Sequence, residues 1–368
     1  MRRSDARISV LRAALLAWYR ENARDLPWRR SKDPYTVWIS EVMLQQTRVD
    51  TVIPYFERFL EQWPTAAALA DASPDRVRAA WSGLGYYRRA QTMMDAARII
   101  ATEHGGQLPS DPEGLRALPG FGAYTTGAVA SIAFDREVPA VDGNVMRVLA
   151  RIAGIEGDVR KGEPNCEVWA LAERLAPGEA PGDLTQALIE LGALVCKRKP
   201  DCGRCPAAAE CEARRAGRQN EIPPPAVRKA PKTVPLRALV LDDGARVLLA
   251  RQPKGGLFAE LWTPPFSEPE AWHDRLAALG VSEGELELEG AVSHRLTHRA
   301  LEVEVWVGAL PRVLPEGTIA AGLDELERYG LPTFASKLLR KGLRTAPARL
   351  PGRRTKPRSQ AELPWGGS

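Results

Sequence analysis

Leu118-Pro119-Gly120-Phe121-Gly122-Ala123-Tyr124-Thr125-Thr126-Gly127 is a Gly-x-Gly turn that runs directly into an Ala-rich helical pattern. Two glycines let the backbone come close to a partner, and the helix that follows aims its first N–H groups and its positive end outward. That arrangement suits a DNA phosphate held without regard to base identity, through Gly120 and Gly122. A plain αα-hairpin turn is the alternative reading of the same residues.

The sequence on either side supplies three further signals. Downstream, Val141-Asp142-Gly143-Asn144-Val145 puts a carboxylate and an amide at the capping positions of another helix, where Asp142 can equally be a simple N-cap. Upstream, Val37-Trp38-Ile39-Ser40-Glu41-Val42-Met43-Leu44-Gln45-Gln46-Thr47 sets an acid within a run of large apolar side chains, followed by two amides and a hydroxyl. A desolvated carboxyl favours its protonated form and so general-acid chemistry, whereas a first-turn Glu with Ser40 as cap is the competing reading. Finally, Cys196, Cys202, Cys205 and Cys211 are four of only five cysteines and fall within sixteen residues, as C-x5-C-x2-C-x5-C. Zinc sites usually use two close hooks and only one close pair exists here, so an iron–sulfur cluster fits better; zinc and plain thiols are the alternatives. Cys166 stands apart and reads as a buried small hydrophobe.

The 368 residues, 44% hydrophobic and 26% charged, allow two domains of ordinary soluble composition. A net charge of +5 is mild evidence for a polyanionic partner. Arg12 interrupts the N-terminal apolar stretch, which reads as an amphipathic helix and not a secretory signal, and no apolar run reaches membrane-spanning length. An intracellular, cytoplasmic protein is expected. Residues 1–212 read as helical, 213–235 as a Pro-rich linker, 236–342 as a second α+β domain and 343–368 as a basic disordered tail. Strands are expected at 236–241, 246–250 and 301–307, with a helix near 268–279.

In this fixed order the motifs resemble the helix-hairpin-helix base-excision glycosylases with a C-terminal iron–sulfur loop, most closely their adenine-excising MutY family. Leu26-Pro27-Trp28-Arg29, Ser40 to Thr47, Gly83-Leu84-Gly85-Tyr86-Tyr87, the hairpin, Val141 to Val145, Gln186-Ala187-Leu188-Ile189-Glu190-Leu191-Gly192-Ala193 and the cysteines carry the match. The resemblance implies an all-α glycosylase domain followed by a MutT-like (Nudix-like) domain, acting on double-stranded DNA in base excision repair, as a monomer. It implies that Glu41 is the general acid, that Asp142 stabilises the sugar oxocarbenium ion or attacks it, and that Asn144 orients the water. Gln46 and Tyr86 would wedge into the duplex. Thr47 and Leu84 would contact the 8-oxoguanine (or guanine) opposite the adenine, and Trp28, Arg29 and Gln186 would border the adenine. The four cysteines would hold a 4Fe–4S cluster, although their first spacing is one residue shorter than the family's C-x6-C.

Tyr124 separates two branches of this superfamily. The bifunctional endonuclease III-like members, which act on oxidised pyrimidines, carry a Schiff-base lysine there, and a tyrosine cannot form one. A monofunctional enzyme is expected. In the second domain, Gly255-Gly256-Leu257-Phe258-Ala259-Glu260-Leu261-Trp262 resembles a family stretch, and Ser293-His294-Arg295-Leu296-Thr297-His298 resembles the lesion-contacting loop, with Thr297 keeping the hydroxyl. A bare antiparallel strand end is the other reading of 294–298. The acidic metal-ligand series of nucleotide pyrophosphatases is absent, so this domain is expected to read the lesion and not to catalyse.

Overall fold

The computed structural model describes residues 5–225 and 230–344; part of the linker and the basic tail beyond residue 344 lie outside them. The described residues pack as two compact units, one within Met1–Pro74 and Tyr86–Arg228 and the other within Asp75–Gly85 and Lys229–Ser368. Among the described residues twelve α-helices precede the first strand: α1 (Asp5–Asn22), α2 (Pro34–Leu44), α3 (Val49–Gln62), α4 (Ala66–Ala70), α5 (Pro74–Trp81), α6 (Arg88–Glu103), α7 (Pro112–Ala117), α8 (Ala123–Phe134), α9 (Gly143–Ala153), α10 (Gly162–Leu175), α11 (Pro181–Leu194) and α12 (Glu212–Arg215). None of the described helices is long and apolar enough to cross a membrane.

In the first unit α8 is the central helix. Its sequence is apolar on every side, as a helix enclosed by others must be, and α2 and α11 pack against it. Gly127 makes that closeness possible: a Cβ there would lie 2.0 Å from the Pro139 carbonyl oxygen. Gly127→Ala is therefore expected to destabilise by at least about 3 kcal/mol, read by thermal or denaturant unfolding, because main chain and not a flexible side chain must give way. A second core joins Leu11 and Leu15 of α1, Val145 and Leu149 of α9, and Leu188 and Leu191 of α11. Cys196 and Cys211 are buried in that same core, so the cysteine loop sits on the helix that Asp142 caps.

The second unit is a seven-stranded mixed sheet: β1 (Lys232–Asp242), β2 (Arg246–Arg251), β3 (Trp262–Thr263), β4 (Phe266–Ser267), β5 (Glu287–Arg295), β6 (Arg299–Ala309) and β7 (Thr318–Gly322). The path β3-β2-β1-β6-β5 has β1 parallel to β6, paired from Lys232↔Arg299 to Asp242↔Ala309, while β4 joins β1 and β7 joins β2. Alternation along β1 serves two faces. Ala238 and Val240 meet Phe334 and Leu338 of α14 (Thr333–Gly342), whereas Leu239 and Leu241 meet Trp272 and Leu276 of α13 (Trp272–Leu279). With both faces covered, β1 reads as a continuous apolar run. The three expected strands and the helix form; β3, β4, β5 and β7 are additional. Residues 294 and 295 end β5 and 296–298 turn into β6, so the strand-end reading describes the backbone there. The segment Asp75–Gly85 packs here too, with Ser82 Oγ donating to the Leu331 carbonyl at 2.7 Å and Arg78 paired with Glu260.

Candidate active site

Asp33 caps α2 by accepting from the Thr36 N–H at 2.8 Å, with Pro34 at the first helical position, so Glu41 falls in the middle of the helix and not in its first turn. Ser40 accordingly donates to the Val37 carbonyl at 2.7 Å and caps nothing. Glu41 is only 6% exposed, and Tyr124, on the first turn of α8, donates to its Oε2 at 2.5 Å. Burial pushes the Glu41 carboxyl up to about 7; the Tyr124 hydrogen bond pulls it down, the charge of Asp142 raises it and that of Arg29 lowers it.

Asp142 occupies a different environment. It is the N-cap of α9: Oδ1 accepts from the Asn144 and Val145 N–H groups at 2.9 and 2.7 Å, and Oδ2 accepts from Asn144 Nδ2 at 2.9 Å. Burial raises this carboxyl above the usual aspartate range, but the three donors and the charge of Arg147 oppose the rise. One acid thus sits in an apolar helix interior and the other at a positive helix end. The two carboxyls are held in dissimilar environments.

The two residues expected to enter the duplex share an unusual backbone. Gln46 (φ +58°) and Tyr86 (φ +48°) are both left-handed, and the Tyr86 hydroxyl donates to Gln46 Oε1. Both are exposed. Gln45 Nε2 donates to Thr125 Oγ1 at 3.2 Å, tying this loop to the start of α8, and Thr47 is half-buried beside it. In the hairpin, Gly120 takes φ +81° and Gly122 is the N-cap of α8, while Phe121 stacks on Trp38 at 5.6 Å. The same turn starts α8 and so sets Tyr124 on Glu41. Trp28 is buried edge-on against Phe56 at 5.4 Å. Leu84 is buried and Thr297 is exposed in the β5–β6 turn; both belong to the second unit.

The four clustered cysteines line a single cavity with Arg151 and Val148. Burial pushes the Cys205 thiol up to about 11, helped by the charges of Cys196, Cys211 and Cys202, which marks the four as mutual neighbours. Arg151 donates to Cys196 Sγ at 3.3 Å and to the carbonyls of Lys197, Arg198 and Ile222, and Cys211 Sγ donates to the Arg151 carbonyl. Among the described residues no three His, Cys, Asp or Glu side chains converge as single-ion ligands. Cys166, expected to be buried, is exposed: it lies on α10 away from the stripe of Val168, Leu171 and Leu175 that faces the core.

Comparison with known proteins decides the family. Residues 39–173 match the HhH-GPD superfamily base excision DNA repair protein and residues 237–341 the NUDIX domain. The human adenine DNA glycosylase is 34% identical over 416 residues, spanning 95% of this chain and 76% of that protein. The chain belongs to the adenine DNA glycosylase family. The adenine DNA glycosylase of Buchnera aphidicola is 32% identical over 88% of the chain and 95% of its own length. A thermostable thymine-DNA glycosylase structure aligns with TM-score 0.53 and 28% identity, covering 57% of this chain and 98% of that one. An endonuclease III–DNA complex, at 22% identity and TM-score 0.50 over 59% of this chain and 99% of that one, shows the shared fold.

Two features of this adenine DNA glycosylase family member escaped the sequence reading. Glu190, fully buried on α11, receives Arg24 Nε and Nη2 at 2.7 and 2.8 Å and Arg29 Nη2 at 2.9 Å. Burial alone would raise its carboxyl, but hydrogen bonds from Arg24 and Arg29, and then their charges, bring it down to about 2. Gln186 stands one helical turn earlier on the same face of α11. Arg147 is the second: it donates to Asn144 Oδ1 at 2.8 Å, to the Gly192 carbonyl at 2.9 Å and to the Cys196 carbonyl at 2.8 Å. Gly192 admits this packing because a Cβ there would lie 2.6 Å from the Asn144 Cβ.

Proposed function

We propose that this base-excision glycosylase hydrolyses the N-glycosyl bond of adenine placed opposite 8-oxoguanine, or opposite guanine, in double-stranded DNA, and leaves the strand uncut. The buried Glu41, poised near neutrality next to the helix-capped Asp142, carries the reading. Residues 1–212 would hold the chemistry and 236–342 the lesion reading, joined by a linker at 213–235, in a monomeric, cytoplasmic enzyme on DNA.

Adenine inside the stack is out of reach, so the nucleotide is extruded first. Gln46 and Tyr86 fill the space it leaves, Gly120 and Gly122 hold a phosphate, and Thr47, Leu84 and Thr297 contact the purine opposite. Trp28, Arg29 and Gln186 border the adenine. Glu41 gives its proton to a purine ring nitrogen, the C–N bond breaks with its electrons on the base, and adenine leaves neutral. The Asp142 carboxylate stabilises the oxocarbenium ion or traps it covalently, on the pattern of retaining glycosidases. Asn144 orients the water, whose proton returns to Glu41.

Release of base is measured on duplexes bearing adenine opposite 8-oxoguanine, adenine opposite guanine, and thymine glycol. The first two are expected to react and the third not, with no borohydride-trapped covalent complex. Strong trapping, or activity on thymine glycol alone, would favour an endonuclease III-like lyase and refute the monofunctional assignment.

Four thiols around one cavity, with only one close C-x2-C hook in their spacing, make a donor set that suits iron–sulfur chemistry and a 4Fe–4S cluster. Cys196, Cys202, Cys205 and Cys211 would hold it. When bound, the cluster supplies structural order and no electron-transfer step, so that the exposed Lys197, Arg198 and Lys199 face phosphates from a fixed loop. Cys205→Ser is expected to lower iron content, visible absorbance and melting temperature together. Wild-type enzyme that is iron-free and colourless yet excises adenine would remove the cluster from this account.

A further inference from the structure

The C-terminal end of α2 runs into Gln45-Gln46-Thr47, and a helix end leaves carbonyl groups without intrahelical partners. One side chain from α6 collects them. Arg89 Nη1 donates to the carbonyls of Val42 at 2.7 Å, Met43 at 3.1 Å and Gln45 at 2.7 Å, and Nη2 donates to Thr47 Oγ1 at 3.3 Å. The same guanidinium lies 5.5 Å from the centre of the Tyr86 ring. Arg89 thus grips both stretches that carry a left-handed wedge residue, Gln46 from its two sides in sequence and Tyr86 across its ring. Non-glycine residues occupy that backbone region only where their surroundings hold them there. A cation at the negative end of α2 is also favoured by the helix dipole. Although burial pulls the guanidinium down to about 10, it stays charged at neutral pH.

We propose that Arg89 is a positioning residue for nucleotide extrusion: it fixes the Gln46–Tyr86 pair in the conformation that enters the duplex, and it does not act on bond cleavage. The inference rests on Gln46 and Tyr86 being the wedge. A fork of several donors is needed to hold diverging carbonyls and a hydroxyl at once, so lysine, a single flexible ammonium, replaces it only in part.

The test uses the full chain as Arg89→Met, Arg89→Lys, Gln46→Ala and Tyr86→Ala. Two duplexes carry adenine opposite 8-oxoguanine. In one the adenine sits in a fully paired context beside a 2-aminopurine reporter, and in the other flanking mismatches already unstack it. Stopped-flow fluorescence reads extrusion and single-turnover assays read excision. Arg89→Met is expected to lose about tenfold or more in both on the paired duplex and to recover on the unstacked one, with Arg89→Lys intermediate. Equal loss on both duplexes, or no loss, would overturn the proposal. If Arg89→Met does not fold, as judged by circular dichroism, Arg89→Lys carries the same comparison. If Gln46→Ala and Tyr86→Ala leave extrusion unchanged, the wedge reading itself fails; if they impair it while Arg89→Met does not, only the role of Arg89 fails.

Discussion

Glu41→Gln is expected to reduce adenine excision by about a thousandfold or more while making the protein more stable at pH 8. Glutamine keeps an oxygen to accept the Tyr124 hydroxyl but has no proton to give to the leaving base. The gain in stability follows from the raised carboxyl. In the folded protein Glu41 titrates near 7, whereas its ordinary value is 4.5. A group whose pKa rises on folding contributes fully below its unfolded value, and that contribution is lost as pH climbs through the folded value. Above pH 7, ionised Glu41 therefore costs up to about 3 kcal/mol, a cost the glutamine variant does not carry. The difference in melting temperature between variant and wild type should be largest at pH 8 and shrink towards pH 5. Activity has the matching shape: the single-turnover rate of the wild type should fall tenfold per pH unit above about 7, as the proton is lost, and the residual rate of the variant should lack that limb. Full activity in Glu41→Gln would place the acid elsewhere.

How far these features could be read in advance depends on whether they are local. The helix after Asp142 was legible because a cap and its helix are neighbours in sequence. The cysteine knot was legible because its spacing is short. The placement of Glu41 mid-helix also had a local signal, Asp33-Pro34, which marks a start seven residues before it. By contrast, Glu190 is charged only because Arg24 and Arg29, more than 160 residues away in sequence, pair with it in space. Nothing in the run around Glu190 announces that. The edge strand β5 was missed for a related reason: its residues are mostly exposed or half-exposed and Gly290 interrupts its register, so the alternation that marks a one-sided strand is weak. Cys166 was assigned to the core from its residue type alone, whereas the face of α10 it occupies is set by Val168, Leu171 and Leu175.

Asp142→Asn is expected to abolish excision, by at least about a thousandfold, while leaving fold and DNA affinity nearly intact. The reason for choosing asparagine is that the residue has two separable jobs. As an N-cap, asparagine equals aspartate, so the bonds from the Asn144 and Val145 N–H groups survive, whereas alanine would lose about 1 kcal/mol of helix stability. As a counter-ion to the developing sugar cation, asparagine has no charge to offer. The second oxygen adds a further consequence. Its replacement by an amide faces Asn144 Nδ2, donor against donor, so the Asn144 amide must turn its oxygen inward and release Arg147. The group proposed to orient the water is then misplaced as well, which adds to the loss. The readouts therefore separate: melting temperature and dissociation constant for duplex with adenine opposite 8-oxoguanine should match the wild type within a few-fold, and single-turnover excision should collapse. Retention of a tenth of the wild-type rate would rule out Asp142 as the stabilising carboxylate. A large fall in melting temperature would instead show that this cap holds α9 through its charge, and the Cys196 carbonyl tied to Arg147 would then be the next contact to fail.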